Sequence, residues 1–306
     1  MGPPAHLSVG GAVRSNALEG LVTDSESSGT LYIVSTPIGN MGDFSFRAVE
    51  VLKSVELILA EDTRNTRHLL DHYGVATRLA AYHEHNEART TPALVSRLEH
   101  GESLALVSDA GTPLLSDPGA RLVRAAIDAG FDVVPVPGPS ALLAALVASG
   151  LDATRFTFFG FLTRTGRARR DALDEITKAH HTVVLYESAN RLAHTLAELE
   201  RLGNGERPAV VAREMTKQFE EIRRGTVSEL RAYYEDHLPR GEIVLLLGGA
   251  TAVPVDDELV RERVRGLRAG GMSARDAAAL VSRELGVAKN VAYRLAQETD
   301  AGEENE

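Results

Sequence analysis

The sequence predicts an α/β protein of two domains followed by a helical tail. Three observations predict this class: the length, a regular alternation of strands and helices in the first half, and a change of pattern near residue 152. The 306 residues exceed one ordinary core and suit two domains. From Thr30 to Gly150, short apolar runs alternate with amphipathic segments of helical spacing. Strands that are apolar on both faces are typical of a parallel sheet covered by helices.

Ten strands are predicted from runs of apolar residues bounded by turn residues. The first domain has candidates at residues 31–34, 56–60, 77–82, 104–107 and 131–136. The second has candidates at residues 156–162, 181–188, 208–214, 219–225 and 242–249, with only two clear long helices among them. We therefore expect a parallel first sheet and a mixed second sheet.

Helix ends are marked by residues that cap them. Asp117 followed by Pro118 predicts an N-cap and a first helical residue, and Gly130 closes the same helix. Pro139 and Ser140 open the next helix and Gly150 ends it.

The chain is expected to fall into four segments. The first, 1–28, is rich in Gly, Ser and Pro and lacks a basic start followed by an apolar core, so we expect a disordered extension and no signal peptide. A parallel-sheet domain (29–151), a second α/β domain (152–250) and a helical tail (251–306) follow. No apolar run reaches membrane-spanning length.

The amino-acid composition excludes several kinds of site and of catalytic chemistry. The chain has no cysteine, which excludes disulfides, thiolate metal sites and cysteine nucleophiles and is consistent with a cytoplasmic protein. The net charge of −10 argues against a general nucleic-acid coat. Basic side chains are nevertheless clustered, and solvated helix faces are their simplest interpretation: Arg164, Arg167, Arg169 and Arg170, then Arg261, Arg263, Arg265 and Arg268, then Arg275, Arg283, Lys289 and Arg294.

Polar or glycine-rich segments follow each of the five strands of the first domain. They read STPIGNMGD, EDTR, HEHNE, SDAGTPLLSDPG and PGPSA. Because ligands bind outside the carboxyl ends of parallel strands, these segments predict a ligand cleft. The motifs GxGxxG after the first strand, GxxxxGK[ST] and GxSxG are missing, which argues against a dinucleotide, a phosphate-cradling loop and a serine hydrolase. Asp109 and Asp117 favour a cationic or hydroxyl-rich ligand, and S-adenosylmethionine fits that description.

A metal site is an alternative at the third of these segments. His83 and His85 alternate on an extended segment, with Glu84 and Glu87 beside them. No third histidine is in reach by sequence, so the simpler interpretation is that Asn86 caps the next helix. We expect no bound metal.

Ten motifs in chain order then resemble a known family. They are LYIVSTPIGNMGDFSFRAVEVL, AEDTRNTRHLL, HEHNE, LALVSDAGTPLLSDPG, VVPVPGPSA, GFL, RRDAL, LYES, AREMTK and GEIVLLL. Together, over residues 30 to 298, they resemble bacterial 16S rRNA ribose 2′-O-methyltransferases of the tetrapyrrole-methylase (class III) superfamily. The stretch GDFSFRA departs from the family pattern by its aromatic residues, which concerns packing.

The resemblance implies an S-adenosylmethionine-dependent enzyme of two α/β domains, with the cofactor in a cleft between them. It also implies a homodimer that methylates the ribose of cytidine 1402 in 16S rRNA of the small ribosomal subunit. Carried over by motif, the cofactor residues are Pro37, Ile38, Gly39, Asp109, Ala110, Gly111, Thr112, Pro113, Ser140, Ala141, Tyr186, Ala212, Gly241 and Glu242.

A ribose hydroxyl is a weak nucleophile, so a general base is expected to assist. The candidates near the strand ends are Glu61, Asp62, His85, Glu87, Glu187 and Glu214. A simpler interpretation, as helix caps, applies to Asp62 or Thr63 and to Ser188. Without cysteine, methylation at cytosine C5 through a covalent adduct is excluded, whereas attack by an oxygen or an exocyclic nitrogen remains open.

RNA contacts are predicted at basic residues beside the same ends and in the tail: Arg64, Arg67, Arg191, Arg213, Lys217, Lys289 and Arg294. Structural ion pairs are an equal alternative for the first five. The tail segment MSARDAAALVSRELGVAKNVAYRLAQE resembles a helix–turn–helix, and we favour contact with rRNA over a helical hairpin that only packs on the core.

Two other functions compete with rRNA methylation. One is methylation of a corrin or sirohaem precursor on the same fold, which needs no basic tail. The other is a non-catalytic RNA-binding protein built on a methylase scaffold, which a failure to bind the cofactor would favour.

Overall fold

The computed structural model describes residues 29–250, 257–285, 287 and 289–303. The predicted extension 1–28 and residue Gly286 of the tail lie outside the described residues. The chain divides into two compact units. The described part of the first consists of residues 29–34, 49–107 and 118–136, and the second consists of 35–48, 108–117 and the described residues from 137 onward.

The first unit contains a five-stranded parallel sheet, as predicted. Its strands are β1 (Thr30–Val34), β2 (Leu57–Ala60), β3 (Leu79–Ala81), β4 (Leu104–Val107) and β5 (Asp132–Val136), in the order β3-β2-β4-β1-β5. All four pairings are parallel. Every residue of β2 and β4 is buried, which explains their uninterrupted apolar sequences.

Four helices follow the first four of these strands along the chain: α1 (Phe46–Ser54), α2 (Thr63–His72), α3 (Glu87–Glu99) and α4 (Ala120–Asp128). Asp62 caps α2 as predicted, because its carboxylate accepts a hydrogen bond from the Arg64 amide at 2.8 Å. Asn86 precedes α3, but its side chain does not cap the helix; its Oδ1 accepts from the His83 amide instead.

The predicted start of α4 at Asp117 and Pro118 is wrong. The helix begins at Ala120 after Gly119, whose φ of +130° is a conformation that residues with a Cβ rarely adopt. The glycine turns the chain between Pro118 and the helix, so Pro118 is not the first helical residue. Gly130, at φ +84°, follows the end of this helix as predicted.

The second unit contains a five-stranded mixed sheet, also as predicted. Its strands are β6 (Phe156–Phe161), β7 (Thr182–Ser188), β8 (Pro208–Arg213), β9 (Glu221–Thr226) and β10 (Glu242–Leu247), in the order β6-β7-β10-β8-β9. The pairing of β6 with β7 is parallel and the other three are antiparallel. Alternate residues face two apolar clusters: Leu185 and Leu245 face one, and Val184 and Val244 face the other.

Helix α5 (Ala141–Ser149) contributes Leu142, Ala145 and Leu146 to the cluster of Val184. It begins after Ser140, whose hydroxyl accepts from the Leu143 amide, and ends at Gly150, as predicted. The cluster of Leu185 is covered by three helices, one more than predicted: α6 (Arg167–Lys178), α7 (Leu192–Leu199) and α8 (Val227–Asp236).

The predicted cap of α7 by Ser188 is wrong. Arg191 occupies the N-cap position. The amide and hydroxyl of Ser188 both donate to the Glu187 carboxylate, so the hydroxyl is not directed at the amides of the helix.

The tail comprises three helices, α9 (Asp257–Ala269), α10 (Ala274–Leu285) and α11 (Lys289–Glu303). They pack on one another through their own apolar cluster, which includes Val260, Val281 and Leu295. Helices α10 and α11 lie in the tail segment that resembles a helix–turn–helix, where two helical stretches are expected around Gly286 and Val287. Among the described residues, no helix combines the length and apolar character needed to span a membrane.

Candidate active site

A pocket of about 370 Å³ lies within the second unit. This volume falls in the range of roughly 300–1,000 Å³ that is typical of small-molecule sites. Its walls come from the segments after β1 and β4, the start of α5, the ends of β6 and β7 and the turn before β10. The lining residues are Ile38, Asp109, Ala110, Gly111, Thr112, Leu115, Ser116, Asp117, Ala141, Phe161, Tyr186, Glu187, Ser188, Ala189, Met215, Gly241, Glu242, Ile243 and Val244.

The segment 108–117 is fixed by hydrogen bonds to the segment after β1. Thr36 and Gly111 exchange backbone hydrogen bonds of 2.9 and 3.1 Å, and the Thr36 hydroxyl donates to the Ser108 carbonyl at 3.0 Å. Gly111 has a φ of +88°, and a Cβ there would lie 3.2 Å from Ile38 Cγ2. The glycine therefore allows both the turn and the close packing of the two segments.

Thr112 extends this arrangement to the segment after β5. Its hydroxyl lies 3.0 Å from Ser35 Oγ and donates to the Pro139 carbonyl at 3.2 Å. The polar segments after the first, fourth and fifth strands are thus joined around one threonine, as expected for segments that follow parallel strands.

Strained backbone occurs on two sides of the pocket. The non-glycine residues with positive φ in the described part of the chain are Leu114, Ser116, Glu214 and Thr216. The first two flank Leu115 and the last two flank Met215, and both flanked side chains line the pocket. Such conformations cost about 1–3 kcal/mol each and persist where the surroundings enforce them, commonly at ligand sites.

The charged side chains that line the pocket are acidic. Asp109, Asp117, Glu187 and Glu242 contribute carboxylates, and the described lining residues include no Lys or Arg. Burial raises the pKa of the Tyr186 hydroxyl, and the charges of Asp117 and Glu242 raise it further. The pocket therefore favours a ligand that carries positive charge.

Glu214 and Lys217 form an ion pair in the segment after β8, in contact with the start of β10. Glu214 Oε1 accepts from Lys217 Nζ at 2.9 Å and from the Glu242 amide at 3.0 Å. The hydrogen bond from Lys217 is the main reason that the pKa of Glu214 is lowered. Burial opposes the charge on Lys217, yet bonds to Glu214 and Glu242 raise its pKa. Gly241 leaves room for this carboxylate, since a Cβ there would lie 2.2 Å from Glu214 Oε1.

Glu187 is the most deeply buried acid of the pocket, 2% exposed. Its carboxylate accepts hydrogen bonds from the Ser188 amide at 2.8 Å and from the Thr195 hydroxyl at 2.7 Å. Arg191 Nε lies 3.4 Å from Glu187 Oε1. These donors compensate the carboxylate for the loss of water and fix its orientation.

The same hydrogen-bond network includes Arg169. The prediction that this arginine lies on a solvated helix face is wrong. Arg169 is 3% exposed and does not belong to a solvated helix face. Its Nη2 donates to the Thr195 hydroxyl at 3.0 Å, and its Nε donates to Glu198 at 2.9 Å. Burial of this guanidinium is possible because a carboxylate and a hydroxyl satisfy its donors.

The other candidate bases are held in different ways. Glu61, Asp62, His85 and Glu87 belong to the first unit. The hydrogen bond and charge of Arg64 lower the pKa of Asp62 to about 2, and Glu87 pairs with Arg121 at 3.4 Å. The rings of His83 and His85 lie 6.0 Å apart, and the described residues include no group of three His, Asp or Glu placed to hold a metal.

The pocket gathers most of the predicted cofactor residues. Those that line it are Ile38, Asp109, Ala110, Gly111, Thr112, Ala141, Tyr186, Gly241 and Glu242. Those that do not are Pro37, Gly39, Pro113, Ser140 and Ala212. Sequence reasoning missed the apolar lining, notably Leu115, Phe161 and Met215, although all three lie in motifs that it quoted: LALVSDAGTPLLSDPG, GFL and AREMTK.

The predicted RNA contacts remain predictions, and several of these residues make ion pairs. Arg191, Arg213 and Lys217 pair with Glu187, Glu221 and Glu214. Arg64 pairs with Asp62, two residues before it, at 2.7 Å. Arg67, Lys289 and Arg294 are exposed.

Comparison with known proteins identifies the class of protein that this fold and pocket define. Residues 30–231 match the family described as Tetrapyrrole (Corrin/Porphyrin) Methylases. The chain belongs to the tetrapyrrole methylases.

The particular group follows from curated relatives named Ribosomal RNA small subunit methyltransferase I. The protein of that name from Synechocystis is 43% identical over 89% of this chain and 99% of its own. The one from Pseudomonas aeruginosa is 45% identical over 88% and 97%, and the one from Xylella fastidiosa is 51% identical over 72% and 82%. Within the tetrapyrrole methylases, the chain falls in the group that carries this name.

Solved structures show the same fold. Cobalt precorrin-4 methyltransferase aligns with a TM-score of 0.56 at 19% identity, covering 74% of this chain and 98% of its own. Uroporphyrin-III C-methyltransferase from Thermus thermophilus, solved with S-adenosylhomocysteine, aligns with a TM-score of 0.53 at 20% identity, covering 72% and 97%.

Proposed function

We propose that the protein transfers a methyl group from S-adenosylmethionine to the ribose 2′-oxygen of cytidine 1402 in the 16S rRNA of the small ribosomal subunit. The observation that carries this proposal is the 43–45% identity to proteins named as small-subunit rRNA methyltransferases over 97–99% of their length. We further propose that it acts in the cytoplasm as a homodimer.

The pocket residues fit S-adenosylmethionine. Ile38, Met215 and Val244 offer apolar surface, and Asp109 with Asp117 offers carboxylates for a cation and for ribose hydroxyls. Gly111 leaves the main chain of this wall approachable, since it has no Cβ. When bound, the cofactor supplies a methyl group activated by an adjacent positive sulfur, so the protein needs no nucleophile of its own.

The protein then has two roles: it positions the acceptor oxygen relative to the cofactor, and it excludes water from the reacting atoms. Holding the acceptor oxygen in line with the bond that breaks supplies much of the rate, up to about 7–11 kcal/mol of barrier in well-oriented systems. The hydrogen bonds of Thr36, Ser108 and Thr112 fix one pocket wall for this purpose. Of the candidate bases, Glu187 is the one that lines this pocket, where hydrogen bonds fix its carboxylate in another wall.

Contact with rRNA is assigned to exposed basic residues. Arg67 lies in α2 and Lys289 and Arg294 lie in α11, and all three are exposed. Phosphate contacts of this kind add affinity without base specificity and weaken as salt rises. Arg64 is a further candidate beside Arg67.

The test uses tritiated S-adenosylmethionine and small subunits from a strain that lacks the modification. We expect label in 16S rRNA at cytidine 1402, in a nucleotide whose 3′ phosphodiester bond resists alkaline hydrolysis because its 2′-oxygen is methylated. Label in a base, or none in RNA, would contradict the proposal. Transfer to a tetrapyrrole precursor under the same conditions would favour the competing function.

A further inference from the structure

Phe161 places an exposed aromatic ring in the pocket wall. It is 55% exposed, whereas the apolar lining residues Ile38, Met215 and Val244 are buried. Its ring lies against Tyr186, with centroids 5.5 Å apart. Tyr186 is in turn packed edge-on against Phe158, with centroids 4.9 Å apart. Phe161 is thus held against a cluster of aromatic rings while more than half of the residue remains exposed to an incoming group.

A β-bulge in β6 is the reason that Phe161 faces the pocket. Along a regular strand, Phe161 would share a face with Phe159, which packs in the cluster of Leu185. The register between β6 and β7 shifts between Phe158 and Gly160, so that Phe161 pairs with Tyr186 and joins the face of Phe158. Bulges re-aim side chains in this way, often next to active sites.

The backbone of the bulge requires glycine. Gly160 has a φ of +62°, and a Cβ there would lie 2.7 Å from the hydroxyl oxygen of Ser116, which also lines the pocket. The glycine therefore serves both the bulge and the fit of β6 against the segment 108–117.

The chain that follows Phe161 is anchored by two arginines, Arg169, which is buried, and Arg191, which is partly buried. Arg191 Nη2 donates to the Leu162 carbonyl at 2.9 Å, and Arg169 Nη1 donates to the Thr163 carbonyl at 3.1 Å. Both arginines also belong to the network around Glu187 and Thr195. The position of the ring is thus set by the same groups that fix the acidic wall.

We propose that Phe161 is a stacking platform for the nucleobase of the nucleotide that is methylated. This inference rests on the proposed function, because it assumes an RNA substrate. A ribose that enters the pocket carries its base with it, and unstacked bases of RNA are commonly held on aromatic side chains. Since every base has a π-face, such a platform orients the nucleotide without selecting its sequence.

The first experiment distinguishes a contact of Phe161 with the RNA substrate from a contact with the cofactor. F161L keeps an apolar side chain but removes the aromatic face, and F161W restores one. We expect F161L to raise the KM for small subunits about tenfold, the scale of one lost base–aromatic contact, with the Kd for S-adenosylhomocysteine within twofold of wild type. F161W is expected to keep a KM near that of wild type.

The matched control is F156L. Phe156 lies on the same strand, is 38% exposed and does not line the pocket. Its replacement is expected to leave both constants unchanged. An unchanged KM in F161L overturns the platform alone, and a parallel rise in the Kd for S-adenosylhomocysteine assigns the ring to the cofactor's adenine instead. Absence of methyl transfer by the wild type overturns both proposals.

The second experiment observes stacking directly. The chain has no tryptophan, so F161W introduces a single indole fluorophore. We expect a single-stranded oligoribonucleotide with the target cytidine to quench its emission, and S-adenosylhomocysteine alone to leave it nearly unchanged. F156W serves as the control and is expected to stay unquenched. Equal quenching of both variants, or of neither, contradicts the proposal.

Discussion

Thr36 and Gly111 exchange two backbone hydrogen bonds, of 2.9 and 3.1 Å, between segments that are 75 residues apart in sequence. The bridge explains why the segment SDAGTPLLSDPG contains so few reactive side chains. Its main chain is used to build a wall of the pocket, and its glycines and turn residues allow that main chain to pack closely against its neighbours.

Replacement of Gly111 by alanine is expected to affect stability and binding together. The left-handed φ of +88° costs a residue with a Cβ about 1–2 kcal/mol, and the new methyl group would lie 3.2 Å from Ile38 Cγ2 in the pocket. We expect a lower free energy of unfolding in urea and weaker calorimetric binding of S-adenosylhomocysteine. Gly203→Ala, at φ +86° with no atom within 4 Å, is expected to lose similar stability while binding normally. Normal binding by G111A would contradict the account of this wall.

Asp109→Ala is expected to weaken S-adenosylmethionine binding at least tenfold without unfolding the protein. A hydrogen bond to a charged group contributes about 1.5–3 kcal/mol, and Asp109 is an exposed pocket residue that contributes little to the core. Calorimetry measures the affinity, and circular dichroism checks the fold. Asp174→Ala removes an exposed carboxylate outside the pocket and is the control. Wild-type affinity in D109A would show that the segment is misassigned.

Lys217→Met is expected to change how the free energy of unfolding depends on pH. Lys217 lowers the pKa of Glu214, so their interaction stabilises the fold above about pH 4.5, the ordinary value for Glu, and is lost as pH falls through the lowered pKa. The variant should lose roughly 0.2–1 kcal/mol at pH 7 and show a shallower decline below pH 4.5 in urea unfolding.

The control for that change is Lys178→Met, which removes an exposed pair with Asp174. It is expected to leave the acid dependence close to that of wild type. If K217M and K178M decline identically with acid, the Glu214 interaction does not contribute as described.

Thr195→Val is expected to destabilise the fold by about 1–3 kcal/mol. The hydroxyl donates to the buried Glu187 carboxylate and accepts from Arg169, so its loss leaves both groups short of a partner. Thr154→Val also removes a bond to a carboxylate, that of Asp152, but at an exposed position, and should cost well under 1 kcal/mol. Equal effects in urea unfolding would contradict a special role for the buried network.

Much of the fold follows from local patterns. Every strand was predicted within a few residues, because buried runs such as LALV and IVLLL are apolar throughout and end at turn residues. The convergence of the segments after β1, β4 and β5 follows from the strand-end rule for parallel sheets. The domain limits of 29–151 and 152–250 remain a prediction.

The predictions that were wrong concern interactions that depend on the fold as a whole. Asp117 and Pro118 carry a valid helix-start signal, but Gly119 turns the chain and the helix begins after it. Arg169 lies among exposed arginines in sequence, yet Thr195 and Glu198 satisfy it in the interior. The bulge at Gly160 changes the face of Phe161, and strand periodicity alone assigns that ring to the opposite side.

We propose that the acidic pocket formed in part by the segment 108–117 holds the methyl donor. This can be decided by a crystal structure of the protein grown with S-adenosylhomocysteine. We expect that ligand in contact with the main chain of residues 109–112 and with the carboxylate of Asp109. A structure that shows the ligand bound elsewhere, or this pocket empty at saturating ligand, would contradict it.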